Sequence, residues 1–189
     1  MSDLTAWGDE SGGHSTKDPG VYILCASVIP ANMVSDARSA LRELKPVAAR
    51  KLHWREPATE AKRSNIVQRI AALGLSHIVV VRLSATDTAR RQRAKALEML
   101  CVELEAVGVQ QLTLESRGPA DDQRDLKTLA GLRNRRLVSP ALRLWHTPGP
   151  QEPLLWIADV CAGVVSDARI GIDVHHGLLA EHITVHEIE

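Results

Sequence analysis

The stretch 154–165, L-L-W-I-A-D-V-C-A-G-V-V, is apolar on every side at helical spacing, and a helix without a wet face must be covered by other elements. Pro153 suits a first helical turn, where its missing N–H costs nothing, so the pattern predicts a helix from Pro153 to about Arg169. Asp159 interrupts the apolar run. An unpaired ionised carboxylate there would be very costly, so Asp159 implies a partner. Leu155, Asp159, Ala162 and Ser166 share one helical face beside Gly163, and these small residues let the face lie close to a sheet with Asp159 aimed at strand ends.

Near the N-terminus, L-T-A-W-G-D-E-S-G-G reads as a strand that stops on two acids before a glycine turn. Neighbouring strand side chains point to opposite faces, so Asp9 follows the face of Thr5 and Trp7 while Glu10 does not. A carboxylate at the end of a buried strand needs hydrogen bonds, a cation or a metal ion to replace lost water.

Strands and helices alternate along the rest of the chain. After a polar loop from His14 to Gly20, residues 21–29 form a near-continuous apolar run, read as a central strand hairpin-paired with the first. Helical spacing follows over 32–44, and K-L-H-W-R near residues 51–55 reads as a short strand or edge segment in which His53 is a core-edge histidine. Pro57 opens a helix to Leu73, with a β-branched strand over 76–84 behind it. Thr86 or Asp87 caps a long helix with Leu97, Leu100, Leu104 and Val107 as its seam, and the run Arg90, Arg91, Arg93 and Lys95 reads first as a solvated face. A strand over 111–115 ends in Glu115, a polar helix follows, and strands are expected over 142–146 and 183–188. The expected architecture is α/β, a mixed sheet with helices on both faces, in a single domain over 1–189.

Charge names no partner, because 23 basic residues balance 23 acidic ones. With no Phe and one Tyr, binding of single strands by base stacking is disfavoured. Cys25, Cys101 and Cys161 lie far apart in apolar segments and read as buried hydrophobes in a reducing compartment. No signal sequence and no apolar run of roughly 18 residues appears, so a cytoplasmic protein without a membrane span is expected. G-x-S-x-G, G-x-x-x-x-G-K-[ST] and G-x-G-x-x-G patterns are absent, which argues against a hydrolase elbow, an NTPase loop and a dinucleotide enzyme. His175, His176, His182 and His186 lack a cysteine partner or an H-E-x-x-H helix and read as a surface cluster.

Two acids at strand ends and one on a buried helix suit a divalent-metal phosphoryl-transfer site. Hard oxygen ligands favour Mg²⁺ or Mn²⁺, and two such ions activate water and stabilise a leaving oxygen. The G-D-E-S-G-G opening, the K-L-H-W segment, the strand ending in Glu115 and the L-L-W-I-A-D-V-C-A-G-V helix together resemble the bacterial domain-of-unknown-function 3800 family, which is ribonuclease H-like. The resemblance spans nearly the whole chain. It implies a ribonuclease H-type fold and metal-dependent nuclease activity, with Asp9, Glu10, Glu115 and Asp159 as catalytic positions. Asp9 would bridge two ions while Glu115 and Asp159 each hold one. Lys51, His53 and Arg117 would face substrate phosphate or stand behind the ligands, and the partner would be nucleic acid of either type. The family more often has Asp where Glu115 stands, and Gln where Trp156 stands. Asp121, Asp122 and Asp125 are alternative ligands to Glu115, or simply a polar helix start. The alternative to an enzyme is a non-catalytic ribonuclease H-like scaffold that binds nucleic acid or a partner protein.

Overall fold

The computed structural model describes residues 3–12, 17–56 and 59–189. The expected turn at Gly13, the loop residues His14, Ser15 and Thr16, and the helix start at Pro57 lie outside them. Six strands, β1 (Leu4–Gly12), β2 (Val21–Pro30), β3 (Ser76–Leu83), β4 (Val109–Glu115), β5 (Arg143–Thr147) and β6 (Ile183–Ile188), form one sheet in the order β5-β4-β1-β2-β3-β6. The expected hairpin of β1 and β2 is present, and β2 runs antiparallel to both of its neighbours. The other pairings, β1 with β4, β4 with β5 and β3 with β6, are parallel.

Helices cover both faces. On the Trp7, Ile23, Cys25 and Val79 face lie α1 (Val34–Leu44), α2 (Glu60–Ala71) and α5 (Pro153–Arg169), with the short α6 (His176–Leu179) beside them. On the Ala6, Leu24, Val80 and Leu112 face lie α3 (Ala89–Ala106) and α4 (Pro119–Asn134). Residues 153–166 of α5 are all buried, because the helix lies between α1 and the strands β1 and β2. This is why its sequence is apolar all round. Arg38 on α1 grips Glu152, the N-cap of α5, through Nε at 3.0 Å and Nη2 at 2.9 Å, and Glu152 in turn accepts from the Leu154 N–H.

Several boundaries and environments differ from expectation. Thr88, rather than Thr86 or Asp87, caps α3, since its hydroxyl accepts from the Arg91 N–H at 3.3 Å. Val107 is half exposed rather than part of the seam, and Arg93 is buried rather than solvated. Residues 51–56 form bends and turns instead of a strand. His175 is buried, not on the surface: its ring meets Trp54 edge-on at 5.1 Å, and Nε2 lies 2.8 Å from Glu60. All three cysteines are buried and free. Among the described residues no helix is long and apolar enough to cross a membrane.

Candidate functional site

The register fixes two of the acids. β1 and β4 are parallel with Gly8 opposite Leu114, so Asp9 and Glu115 are the next residues where β4 ends, while β1 does not stop on its two acids as expected but runs on to Gly12 beside β2. Asp9 and Glu115 both extend the face of Trp7 and Thr113, towards α5. Asp159, on the sheet-facing side of α5, completes one cleft of about 330 Å³ lined by Asp9, Glu10, Lys51, His53, Glu115, Arg117 and Asp159. The cleft is thus lined by the seven residues named for catalysis, metal and substrate, and not by Asp121, Asp122 or Asp125. It also contains Ser11, Arg55 and Ser116, each adjacent in sequence to a singled-out residue or motif.

Asp9 is 8% exposed. Burial, a hydrogen bond with the Glu115 carboxyl and the charges of Glu115 and Asp159 push its pKa from 3.8 up to about 9, with Lys51 opposing the shift. Asp9 Oδ1 also accepts the Glu10 N–H at 2.8 Å. Lys51 donates to both Glu115 oxygens, at 2.8 and 3.1 Å, and its Nζ stands 3.7 Å from Asp9 Oδ2. Burial alone would lower the Lys51 pKa, but its Glu115 hydrogen bond and the surrounding acids raise it. Asp159 Oδ2 accepts the Trp54 N–H at 2.6 Å and lies 3.2 Å from His53 Nδ1, a contact that holds the imidazole pKa above its ordinary value.

Glu10 points to the opposite face of the sheet. There it accepts from the Tyr22 hydroxyl and pairs with Arg93, and Arg117 Nε stands 3.0 Å from Oε1. Arg93 also forks onto Asp125, at 2.9 and 2.7 Å, and His146 Nε2 is 3.0 Å from the same carboxylate. Asp125 is thus a structural ion-pair partner rather than an alternative to Glu115. Asp122 accepts from Ser116 Oγ at 2.6 Å and from the Arg117 N–H at 3.1 Å, shaping the loop behind β4, and Asp121 pairs with Arg124.

The segment 51–54 reaches the cleft because α5 holds it with a stripe at i, i+4 and i+8. Asp159 takes the Trp54 N–H, Gly163 lies under the Trp54 ring, and Asp167 takes the indole N–H at 2.8 Å. A Cβ at position 163 would overlap the indole. A second glycine, Gly149, borders the Glu115 carboxylate: a Cβ there would collide with both of its oxygens, and the Trp156 indole pins the Gly149 carbonyl at 2.8 Å. These supports escaped the sequence reading, although the 159–163–167 spacing is visible once Trp54 is known to cross α5.

No protein-family model and no curated protein sequence matches this chain, so the family resemblance rests on its motifs. Solved structures do match. Ribonuclease H2 from Pyrococcus horikoshii OT3 is similar with a TM-score of 0.61 at 14% identity, over 89% of this chain and 74% of that one. A chain of the PCNA:RNase HII complex from Archaeoglobus fulgidus matches with a TM-score of 0.55 at 14% identity, over 96% and 78%. The fold is ribonuclease H-like. Bst-RNase HIII in complex with Mn²⁺ is similar with a TM-score of 0.51 at 13% identity, over 87% of this chain and 52% of that one.

In this ribonuclease H-like chain the donor chemistry fits a hard divalent cation. Asp9, Glu115 and Asp159 line one cleft, and the charges of the other two acids act on Asp9, so oxygen ligands are gathered where a cation would offset them. As the side chains stand, no group of three acids, histidines or cysteines among the described residues is arranged to hold a metal ion, and Glu115 is turned onto Lys51.

Proposed function

We propose that this chain is a divalent-metal-dependent nuclease that hydrolyses phosphodiester bonds, with Mg²⁺ or Mn²⁺ held by Asp9, Glu115 and Asp159. The observation that carries this reading is the meeting of three carboxyl groups from β1, β4 and α5 in one cleft, where burial and the neighbouring acids push the Asp9 pKa up. Its support from likeness is the ribonuclease H-like fold, which one neighbour shares as an Mn²⁺ complex.

Two ions, when bound, supply Lewis-acid polarisation of the phosphodiester and a lowered pKa for the attacking water. Asp9, Glu115 and Asp159 would hold these ions. Arg117, fixed by Glu10 on one side of the cleft, and Lys51 on the other would orient the anionic phosphate. His53 Nδ1 is engaged by Asp159, which leaves Nε2 as the ring atom able to carry a proton to or from an oxygen of the substrate. Hydrolysis breaks one P–O bond and adds water across it, so the departing oxygen gains a proton.

One observation favours the non-catalytic scaffold instead: Lys51 already neutralises Glu115. The same assay separates the two readings. Single-stranded RNA, DNA and RNA–DNA hybrid are incubated with the chelator-stripped protein plus Mg²⁺ or Mn²⁺. Cleavage that appears only with metal, and that Asp159→Asn and Asp9→Asn each reduce at least about 100-fold while melting stays cooperative, supports the enzyme. Binding without cleavage on all three substrates supports the scaffold.

A further inference from the structure

We propose that Lys51 is a tethered counter-cation: its ammonium takes the place of a divalent ion against Glu115 and Asp9 in the metal-free protein, and yields it when metal arrives. The inference rests on the metal-dependent reading above and concerns what that site does before it is loaded.

Three observations lead to it. Lys51 Nζ contacts both Glu115 oxygens and stands 3.7 Å from Asp9 Oδ2, so one ammonium reaches carboxyl groups on two adjacent parallel strands. Its backbone belongs to the segment that Trp54 fastens to α5, which fixes the root of the side chain beside the cleft while its four-carbon stem stays free to change rotamer. Finally, among the described residues the acids as they stand form no group arranged to hold a metal, and the Glu115 carboxylate lies between Lys51 and the bare backbone of Gly149.

A single positive charge on a flexible arm suits this task. Without some cation, the charge of Glu115 would stand uncompensated beside the other two acids of the cleft. An ammonium holds them in register, yet a doubly charged ion that accepts oxygen from all three outcompetes it. Displaced by metal, the same arm still ends inside the cleft, where an incoming phosphate is the nearest anion. Arginine would serve less well, since its planar fork would grip Glu115 through two parallel bonds and resist release.

Competition has a measurable signature. If the metal-competent arrangement is populated one part in ten or less because Lys51 fills the cleft, the apparent metal affinity is reduced by that factor. Chelator-stripped wild type, Lys51→Met, Lys51→Gln and Lys51→Arg are titrated with Mn²⁺ alone by calorimetry, with no substrate present and folding checked by circular dichroism. Removing the charge in either neutral variant should tighten Mn²⁺ binding at least about tenfold. Lys51→Arg should bind no more tightly than wild type. In chelator, both neutral variants should melt below Lys51→Arg, because only the arginine still neutralises Glu115. Equal or weaker Mn²⁺ binding by both neutral variants overturns the counter-cation role while leaving the metal-dependent reading intact. Failure of every folded protein to bind Mn²⁺ overturns both.

Discussion

Burial beside two other acids pushes the Asp9 pKa up, and this has a thermodynamic consequence. In the unfolded chain it ionises near 3.8, whereas in the folded chain it does so near 9. Between those values the folded state binds the extra proton, so the stability of the metal-free protein falls as pH rises. His53 acts with the same sign: its raised pKa makes its contact with Asp159 a contribution present in acid and lost as pH climbs through that elevated value. Melting temperatures in chelator should therefore decline from about pH 5 to about pH 8, and Asp9→Asn should flatten the slope. A profile that is level or rises in wild type contradicts the assignment. At Gly149 the expected effect is functional rather than structural. A methyl group there meets the movable end of Glu115, so Gly149→Ala should weaken Mn²⁺ binding while shifting the urea midpoint by less than the equivalent of about 1 kcal/mol.

The 51–54 segment shows how an element without regular hydrogen bonds can be placed by side-chain anchors. Its Trp54 is 3% exposed and is held to α5 by two hydrogen bonds and a glycine seat. In Gly163→Ala the collision involves the ring carbons of a buried indole, so it should cost about 1–3 kcal/mol in urea unfolding. Metal-dependent cleavage should fall by a larger factor than the stability loss explains, because Lys51 and His53 travel with Trp54. Full activity in a folded Gly163→Ala protein would separate the segment from the site. How much of this could be read from sequence depends on the range of the cause. Period-two alternation put Asp9 with Trp7, and an apolar helix interrupted by one acid marked Asp159, both of which are local patterns. The bends at 51–56 replace the expected strand because tertiary contacts with α5 decide the backbone there. The burial of Arg93 and His175 was equally hidden, since charged residues look solvated until partners distant in sequence, Asp125 and Glu60, are brought beside them.

Across the whole molecule, the two faces of the sheet divide the acids by purpose. Asp9, Glu115 and Asp159 meet on the α5 side, whereas Glu10 and Asp125 on the α3 and α4 side are tied up by Arg93, Arg117, Tyr22 and His146. Arg93 joins β1, β2, α3 and α4 through these partners, so Arg93→Met would strand Asp125 as a buried charge and should cost about 3–5 kcal/mol in urea unfolding. A loss below about 1 kcal/mol would mean that His146 alone satisfies Asp125. The position of β1 inside the sheet has a kinetic side as well. Asp9 sits on a strand flanked by β2 and β4, whose amides open only when much of the sheet opens, while Lys51 sits on a segment with little ladder bonding that can detach alone. In deuterium labelling the two halves of the same cleft should therefore exchange on widely separated timescales, and cation uptake, which frees Lys51 from Glu115, should leave the slower half as it was.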